Sequence, residues 1–301
     1  MDRKSKDSRG IKVIDLITVV FEKEIPLIKI QAKSIELYID THNIKNIYVV
    51  VNDEDSVVNL IDPNWWGINS HKVQVIPRSK YGVDPTLIGW DSQQMYKLFA
   101  AEESDCPWSM CLDAKTWFVQ SLQWDKLFDS QNRVKFRSIP VIPVFKSAQE
   151  FLENYYRIRM ANVIGPGGVP FMFHTQTVRS MFKELDVPFL EFFSKHVRLP
   201  TNITEFMLYS AYVIYKYSDY NSLYSTSQPY IVQNIADFQV NEFDKILENM
   251  NYPVTLTASI HGRVYPWLTD DQYERWCSFL VDKKLTVDLE NTKSQLNIFR
   301  H

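Results

Sequence analysis

Glycine is scarce in this chain, 8 residues in 301, and the stretch TVVFEKEIP (residues 18 to 26) that ends the first apolar run has none. A phosphate-cradling loop needs glycines where the backbone must approach the ligand, so this gap argues against a nucleotidyltransferase with such a loop after its first strand. Cysteine is equally sparse. Cys106, Cys111 and Cys277 form no CxxC pair and stand beside no histidine at zinc-ligand spacing, which excludes a disulfide framework and a thiolate zinc site and points to a reducing, cytoplasmic setting. No apolar run nears the roughly 20 residues needed to span a bilayer, so no membrane span is expected. The charged opening MDRKSKDSRG shows neither a signal-peptide core nor an amphipathic transit pattern. There is also no surplus of positive charge. Lys plus Arg total 33 against 36 acids, and the basic residues are scattered, which speaks against a nucleic-acid partner.

Apolar and aromatic residues are abundant, at 45% and 14% of the chain, enough for a sizeable core without cross-links. Eight tryptophans are spread along the sequence, and most of them are expected in that core rather than as sugar-stacking platforms. The run IDLITVVF (14 to 21) is almost wholly apolar and β-branched, as suits a strand buried on both faces. Ile28, Ala32, Ile35 and Ile39 then repeat at helical spacing, and IYVVVND (47 to 53) is a second strand. KVQVIP (72 to 77) predicts a third strand, SQQMYKLFAAEE (92 to 103) a helix, and WSMCLDAKTWFV (108 to 119) a fourth strand. This alternation predicts an α/β fold with a mostly parallel central sheet flanked by helices, whose ligands gather beyond the carboxyl ends of the strands.

After residue 140 the pattern loosens. IPVIPVF (139 to 145) predicts a further strand, GPGG (165 to 168) a turn, TVRSMFKELD (177 to 186) and FMLYSAYVIYKY (206 to 217) helices, and VTLTASIHG (254 to 262) an alternating late strand. A closing helix over 268 to 284 carries a capping box at Thr269 and Gln272. With no repeat or linker, one domain over residues 1–301 is expected, with a first half at 11–140 and an elaborated second half at 141–301.

The order of "QAKSIELY", "VVVND", "GWDSQQMYKLFAA" and "CLDAKTWFV" resembles the GT-A glycosyltransferase fold. More narrowly, it resembles poorly characterised glycosyltransferase-like domains that share W-x-x-Q-Q-x-x-K-L followed by L-D-[AS]-K-T. The resemblance covers most of residues 14 to 120 and has weaker echoes at TEFMLYSAYV and SIHG. It implies a transferase that moves a hexosyl or related unit from a nucleotide-sugar donor, bound by the 11–140 half, to a glycan or other hydroxyl acceptor. The alternative is a non-catalytic nucleotide- or sugar-binding domain of the same fold.

In GT-A enzymes a D-x-D at the end of the fourth strand commonly holds a divalent cation, Mn²⁺ or Mg²⁺, through oxygen ligands. This sequence has Asp113-Ala114-Lys115 there, and a charged lysine repels a cation. Either Asp113 binds the metal with a distant ligand such as His261, or Lys115, Lys97 and Arg78 neutralise the donor phosphates. The plain alternative is that Asp113 caps a turn and Lys115 pairs with a surface acid. Phe21 and Glu22 at the end of strand one and Asp53 at the end of strand two are placed to meet base and ribose. Gln94 and Lys97 share a helical face suited to hydroxyl and phosphate contacts, with Asp91 and Gln94 also readable as a capping box. Glu205 resembles the acid placed under the acceptor and would act as general base in an inverting displacement, although Asn202 and Glu205 are also at capping-box spacing. His174, after the glycine-rich turn, is expected to face the acceptor.

Overall fold

Seven consecutive buried residues form β1 (Ile14–Val20), the middle strand of the main sheet. The structure, a computed structural model, describes residues 13–87, 89–164, 169–226 and 231–300, so GPGG lies outside the described residues. From β1 the chain enters α1 (Ile25–Tyr38), where Pro26 sits in the first turn, a position with no intrahelical N–H to lose. It returns through β2 (Ile44–Val51) and β3 (Val73–Ile76), then α2 (Trp90–Glu103) and β4 (Trp108–Asp113).

The expected fourth strand is divided. It breaks after Asp113, turns over Ala114 and Lys115, and resumes as β5 (Thr116–Phe118), which leaves the main sheet. Gln31 explains the break. Buried on the inner face of α1, it donates through Nε2 to the carbonyls of Asp113 (2.7 Å) and Thr116 (3.0 Å), and its Oε1 accepts from Thr18 of β1 (2.7 Å). These bonds hold the turn between Asp113 and Thr116 against α1.

The second half comprises α3 (Trp124–Leu127), β6 (Val134–Lys135), β7 (Ser138–Pro140), α4 (Lys146–Tyr156), β8 (Asn162–Ile164), β9 (Phe171–His174), α5 (Thr175–Glu184), α6 (Phe189–His196) and α7 (Glu205–Tyr217). It ends with β10 (Tyr224–Ser225), β11 (Ile231–Ile235), α8 (Phe243–Asn249), β12 (Thr255–Ile260), α9 (Asp270–Asp282) and α10 (Leu289–Leu296). The predicted strand at 139 to 145 is shorter than expected, because Pro140 and Pro143 bring no N–H to a ladder, and Pro143–Phe145 form a 3-10 turn. The late strand is buried at all six positions, so its Thr and Ser face protein on both sides.

The main sheet runs β3-β2-β1-β4-β9, with β9 antiparallel to β4 and the other pairs parallel. Helices flank it. A second sheet, β11-β12-β5, joins the first half to the last through the antiparallel pairing of β5 with β12. Trp66, Trp117 and Trp276 are fully buried, whereas Trp90 and Trp267 are exposed. One continuous set of packed apolar residues extends from Ile14 to Leu296. Among the described residues no helix is long and apolar enough to cross a membrane.

Candidate functional site

The chain moves outward from β1 to β2 and β3 on one side, then crosses back to place β4 on the other, so the strand order reverses between β1 and β4. At such a switch point the connections leave in opposite directions and open a crevice beyond the carboxyl ends of the strands. Phe21 directly follows β1 and Asp113 ends β4, so both stand at the carboxyl ends of the two strands that flank this switch point.

Lys97 organises it. Fixed on the inner face of α2 with only 5% of its side chain exposed, its ammonium lies 3.1 Å from Asp113 Oδ1 and 3.0 Å from Glu205 Oε1. The Phe206 ring centroid is 5.3 Å away. Glu205 opens α7 and is 4% exposed; Gln94, one turn before Lys97, accepts through Oε1 from the Glu205 N–H (3.2 Å) and so ties the two helix starts together. The other oxygen of Asp113, Oδ2, accepts from Lys115 Nζ at 2.7 Å. Asp113 and Lys115 are 25% and 18% exposed, so this end of the chain of charges meets solvent.

Burial pushes the Asp113 carboxyl up, but Lys115 and Lys97 outweigh it and hold it well below the usual carboxylate range. Burial works against the Lys97 ammonium in the same way, and Asp113 and Glu205 overcome it, raising its pKa well above the ordinary lysine value. Cys111, also on β4, is buried among these charges; burial raises its thiol further than Lys97 lowers it, so it stays protonated. An ion chain in the interior is stabilising only when each charge has its partner in good geometry, and here each does.

The structure thus brings Asp113, Lys97, Lys115, Glu205 and Gln94 into one cluster. Two neighbours were not anticipated. Gln31 shapes the Asp113 turn, and its signal is a polar residue on an otherwise apolar helix face. Glu24 is the second: its carboxylate reaches back to accept from Phe21 N (3.3 Å), and burial raises its pKa against the lowering influence of Lys115. Glu22 takes part through its backbone, donating to Asp53 Oδ2 (2.6 Å), which links the ends of β1 and β2.

Other expectations fall elsewhere. Arg78 follows β3, three strands and so roughly 14 Å from β4, and its guanidinium donates to the Leu87 carbonyl (3.3 Å). It stays apart from the Lys97 cluster. Asp91 is no N-cap; Gly89 holds that position at φ 63°, and Asp91 pairs with Arg198 (2.6 Å). The cap of α7 is Thr204, whose Oγ1 accepts from Met207 N (3.1 Å), rather than Asn202. His174 is corrected outright. Because β9 runs antiparallel to β4, His174 pairs with Trp108 at the opposite rim from Asp113.

His261 follows β12, whose Ser259 opposes Thr116, so it lies on the Asp113 side of the second sheet. Its Nδ1 accepts from Arg263 N (3.2 Å), so that nitrogen is already engaged by the backbone. With both Asp113 oxygens also held by ammoniums, the residues present do not fit a divalent cation. Among the described residues no group of three or more His, Cys, Asp or Glu is placed to hold one.

Residues 12–245 match the family model described as a family of unknown function, DUF6492, and the chain belongs to that family. No curated protein matches the sequence. Among solved structures it is similar to the galactosyltransferase LgtC in complex with donor and acceptor sugar analogues, at 14% identity over 95% of this chain and 96% of that one, TM-score 0.44. It is also similar to the apo bifunctional glycosyltransferase WbbM, at 11% identity over 94% and 52%, TM-score 0.48. A third is the apo glycosyltransferase GlyE of Streptococcus pneumoniae TIGR4, at 11% over 95% and 63%, TM-score 0.45.

Proposed function

We propose that the chain is a glycosyltransferase that moves a sugar from a nucleotide-sugar donor to an acceptor hydroxyl. One observation carries the reading: the two segments on which the GT-A resemblance rests, WDSQQMYKL and LDAKT, meet at the switch-point crevice through the 3.1 Å contact of Lys97 with Asp113. In this reading the donor lies along the ends of β1 and β4, with its base and ribose toward Phe21, Glu22 and Asp53. Asp113 sets the cationic chain, Lys115 faces the diphosphate, and fixed positive charge there stabilises the leaving group as its negative charge grows.

The acceptor enters from the side of the second half, which supplies Glu205. That carboxylate takes the proton of the attacking hydroxyl, giving inversion in one displacement. A panel of UDP- and GDP-sugars, assayed for release of nucleoside diphosphate, tests the reading. Asp113→Ala is expected to abolish release while the fold persists, and Glu205→Gln to lower transfer while nucleotide binding remains. Full turnover by Asp113→Ala overturns it.

A second reading is favoured by the same ion chain: with Asp113 and Glu205 both already paired, the crevice suits a nucleotide- or sugar-binding domain without catalysis. Such a protein takes up a nucleotide sugar and never releases nucleoside diphosphate.

A further inference from the structure

We infer that the Lys97 ammonium stands where a divalent cation would bridge two carboxylates, so that this crevice receives a diphosphate with lysines and takes up no metal of its own. The inference rests on the proposed donor only for the diphosphate; the exclusion of a cation stands on the geometry of the chain alone.

Lys97 Nζ lies between Asp113 Oδ1 and Glu205 Oε1 at 3.1 and 3.0 Å. These are the distances of ammonium hydrogen bonds, whereas Mg²⁺ draws its oxygens to about 2.1 Å. The position is fixed from every side. Phe206 lies beneath the ammonium, Gln94 joins α2 to the Glu205 backbone, and the lysine stem is buried. A metal entering between the two carboxylates has to expel this ammonium from the interior. It then also sits beside Lys115, which holds the other oxygen of Asp113 at 2.7 Å, and like charges at that range repel. The Nδ1 of His261 is already engaged by Arg263 N.

Lys115 differs from Lys97 in one respect that matters for a ligand. Its side chain is 18% exposed against 5% for Lys97, so its Nζ can pass from Asp113 Oδ2 to an incoming phosphate oxygen while Lys97 keeps Asp113 paired. One lysine is then the permanent counter-charge of the site and the other the exchangeable one.

Mn²⁺ titration followed by electron paramagnetic resonance, with no nucleotide present, tests the first part. The wild type is expected to take up no stoichiometric Mn²⁺. Lys97→Ala, which vacates the position between the carboxylates, is expected to bind one ion, and Lys97→Ala with Asp113→Asn to lose it. Calorimetry with UDP and GDP tests the second part: wild-type affinity should change less than about two-fold on adding EDTA, and Lys115→Ala should weaken it about ten-fold, which is about 1.4 kcal/mol. Stoichiometric Mn²⁺ uptake by the wild type that Asp113→Asn abolishes overturns the inference. So does a folded Lys97→Ala that takes up no Mn²⁺, or nucleotide binding that EDTA weakens ten-fold. If Lys97→Ala does not fold, the wild-type titration and the EDTA comparison decide. A wild type that binds neither Mn²⁺ nor any nucleotide leaves the metal exclusion standing and removes the donor reading instead.

Discussion

The main sheet holds a carboxylate at each rim, and the two are satisfied in different ways. At the amino end of β1, Asp15 is wholly buried and accepts from Asn46 N (2.8 Å), Asn46 Nδ2 (3.1 Å), Ser104 Oγ (2.8 Å) and Asp105 N (3.0 Å). At the carboxyl end of β4, Asp113 is a quarter exposed and satisfied by two ammoniums. With Asp15 wholly buried, these donors serve the fold and meet no solvent-borne ligand through it. A partly exposed lysine leaves the Asp113 rim exchangeable. In the proposed reading the charged, partly exposed rim is the one that meets the donor, although both carboxylates are equally well bonded.

Removing Lys97 should have the largest effect. Lys97→Met keeps most of the side chain's volume and drops its charge, leaving Glu205 buried without its ammonium; loss of one partner from a buried pair costs about 3–5 kcal/mol. Urea unfolding should show that loss, and nucleoside diphosphate release should vanish with it. A loss below about 1 kcal/mol would mean that the two rims are alike in rigidity. Asp15→Ala is expected next, at about 2–3 kcal/mol, because Ser104 and the N–H groups of Asn46 and Asp105 lose their acceptor inside the protein. Its nucleotide affinity should match the wild type, since the charged rim is untouched.

Acid sharpens the contrast further. Asp113 has a folded pKa below its ordinary value near 3.8, so its contribution to stability is complete above about pH 4 and is lost as pH falls toward the folded value. Lys97 has the opposite sign: its pKa is raised above the ordinary 10.5, and its contribution is complete below that pH and is lost in strong alkali. The stability difference between wild type and Asp113→Asn should therefore be flat from pH 5 to 8 and shrink below pH 4. Urea midpoints across that range measure it. A difference that stays flat below pH 4 as well would place the Asp113 carboxyl in the ordinary range.

Much of the first half was legible in sequence because β-branched runs and helical spacing act locally; β1, β2, α2 and the carboxyl-rim position of Asp113 all follow from residues near one another. The D-A-K triplet also showed that a metal was in question. What the pattern could not carry was long-range. The division of the fourth strand depends on Gln31, more than 80 residues before Asp113, and the role of Lys97 depends on Glu205, more than 100 residues after it. Capping-box spacing misled at Asp91 and Asn202, since the same residue types satisfy caps or distant partners equally well, and the fold chose Gly89 and Thr204.

His174 gives the smallest expected effect and the cleanest check on the two rims. A glycine-rich turn before it suggested a loop closing over substrate, but strand direction decides which end of a sheet a residue reaches, and β9 runs against β4. At the far rim the His174 ring lies 5.0 Å from that of Trp108 and its Nδ1 meets Thr177 Oγ1 at 2.9 Å, while burial lowers its pKa and favours the neutral ring. Nothing in that setting touches the Asp113 crevice. His174→Gln keeps a polar group for Thr177 and should cost about 1 kcal/mol or less, the worth of one neutral hydrogen bond. Donor turnover should stay within about two-fold of the wild type. A ten-fold fall in turnover at unchanged stability would show that the amino rim also takes part in the chemistry, and the division drawn between the two carboxylates would fail with it.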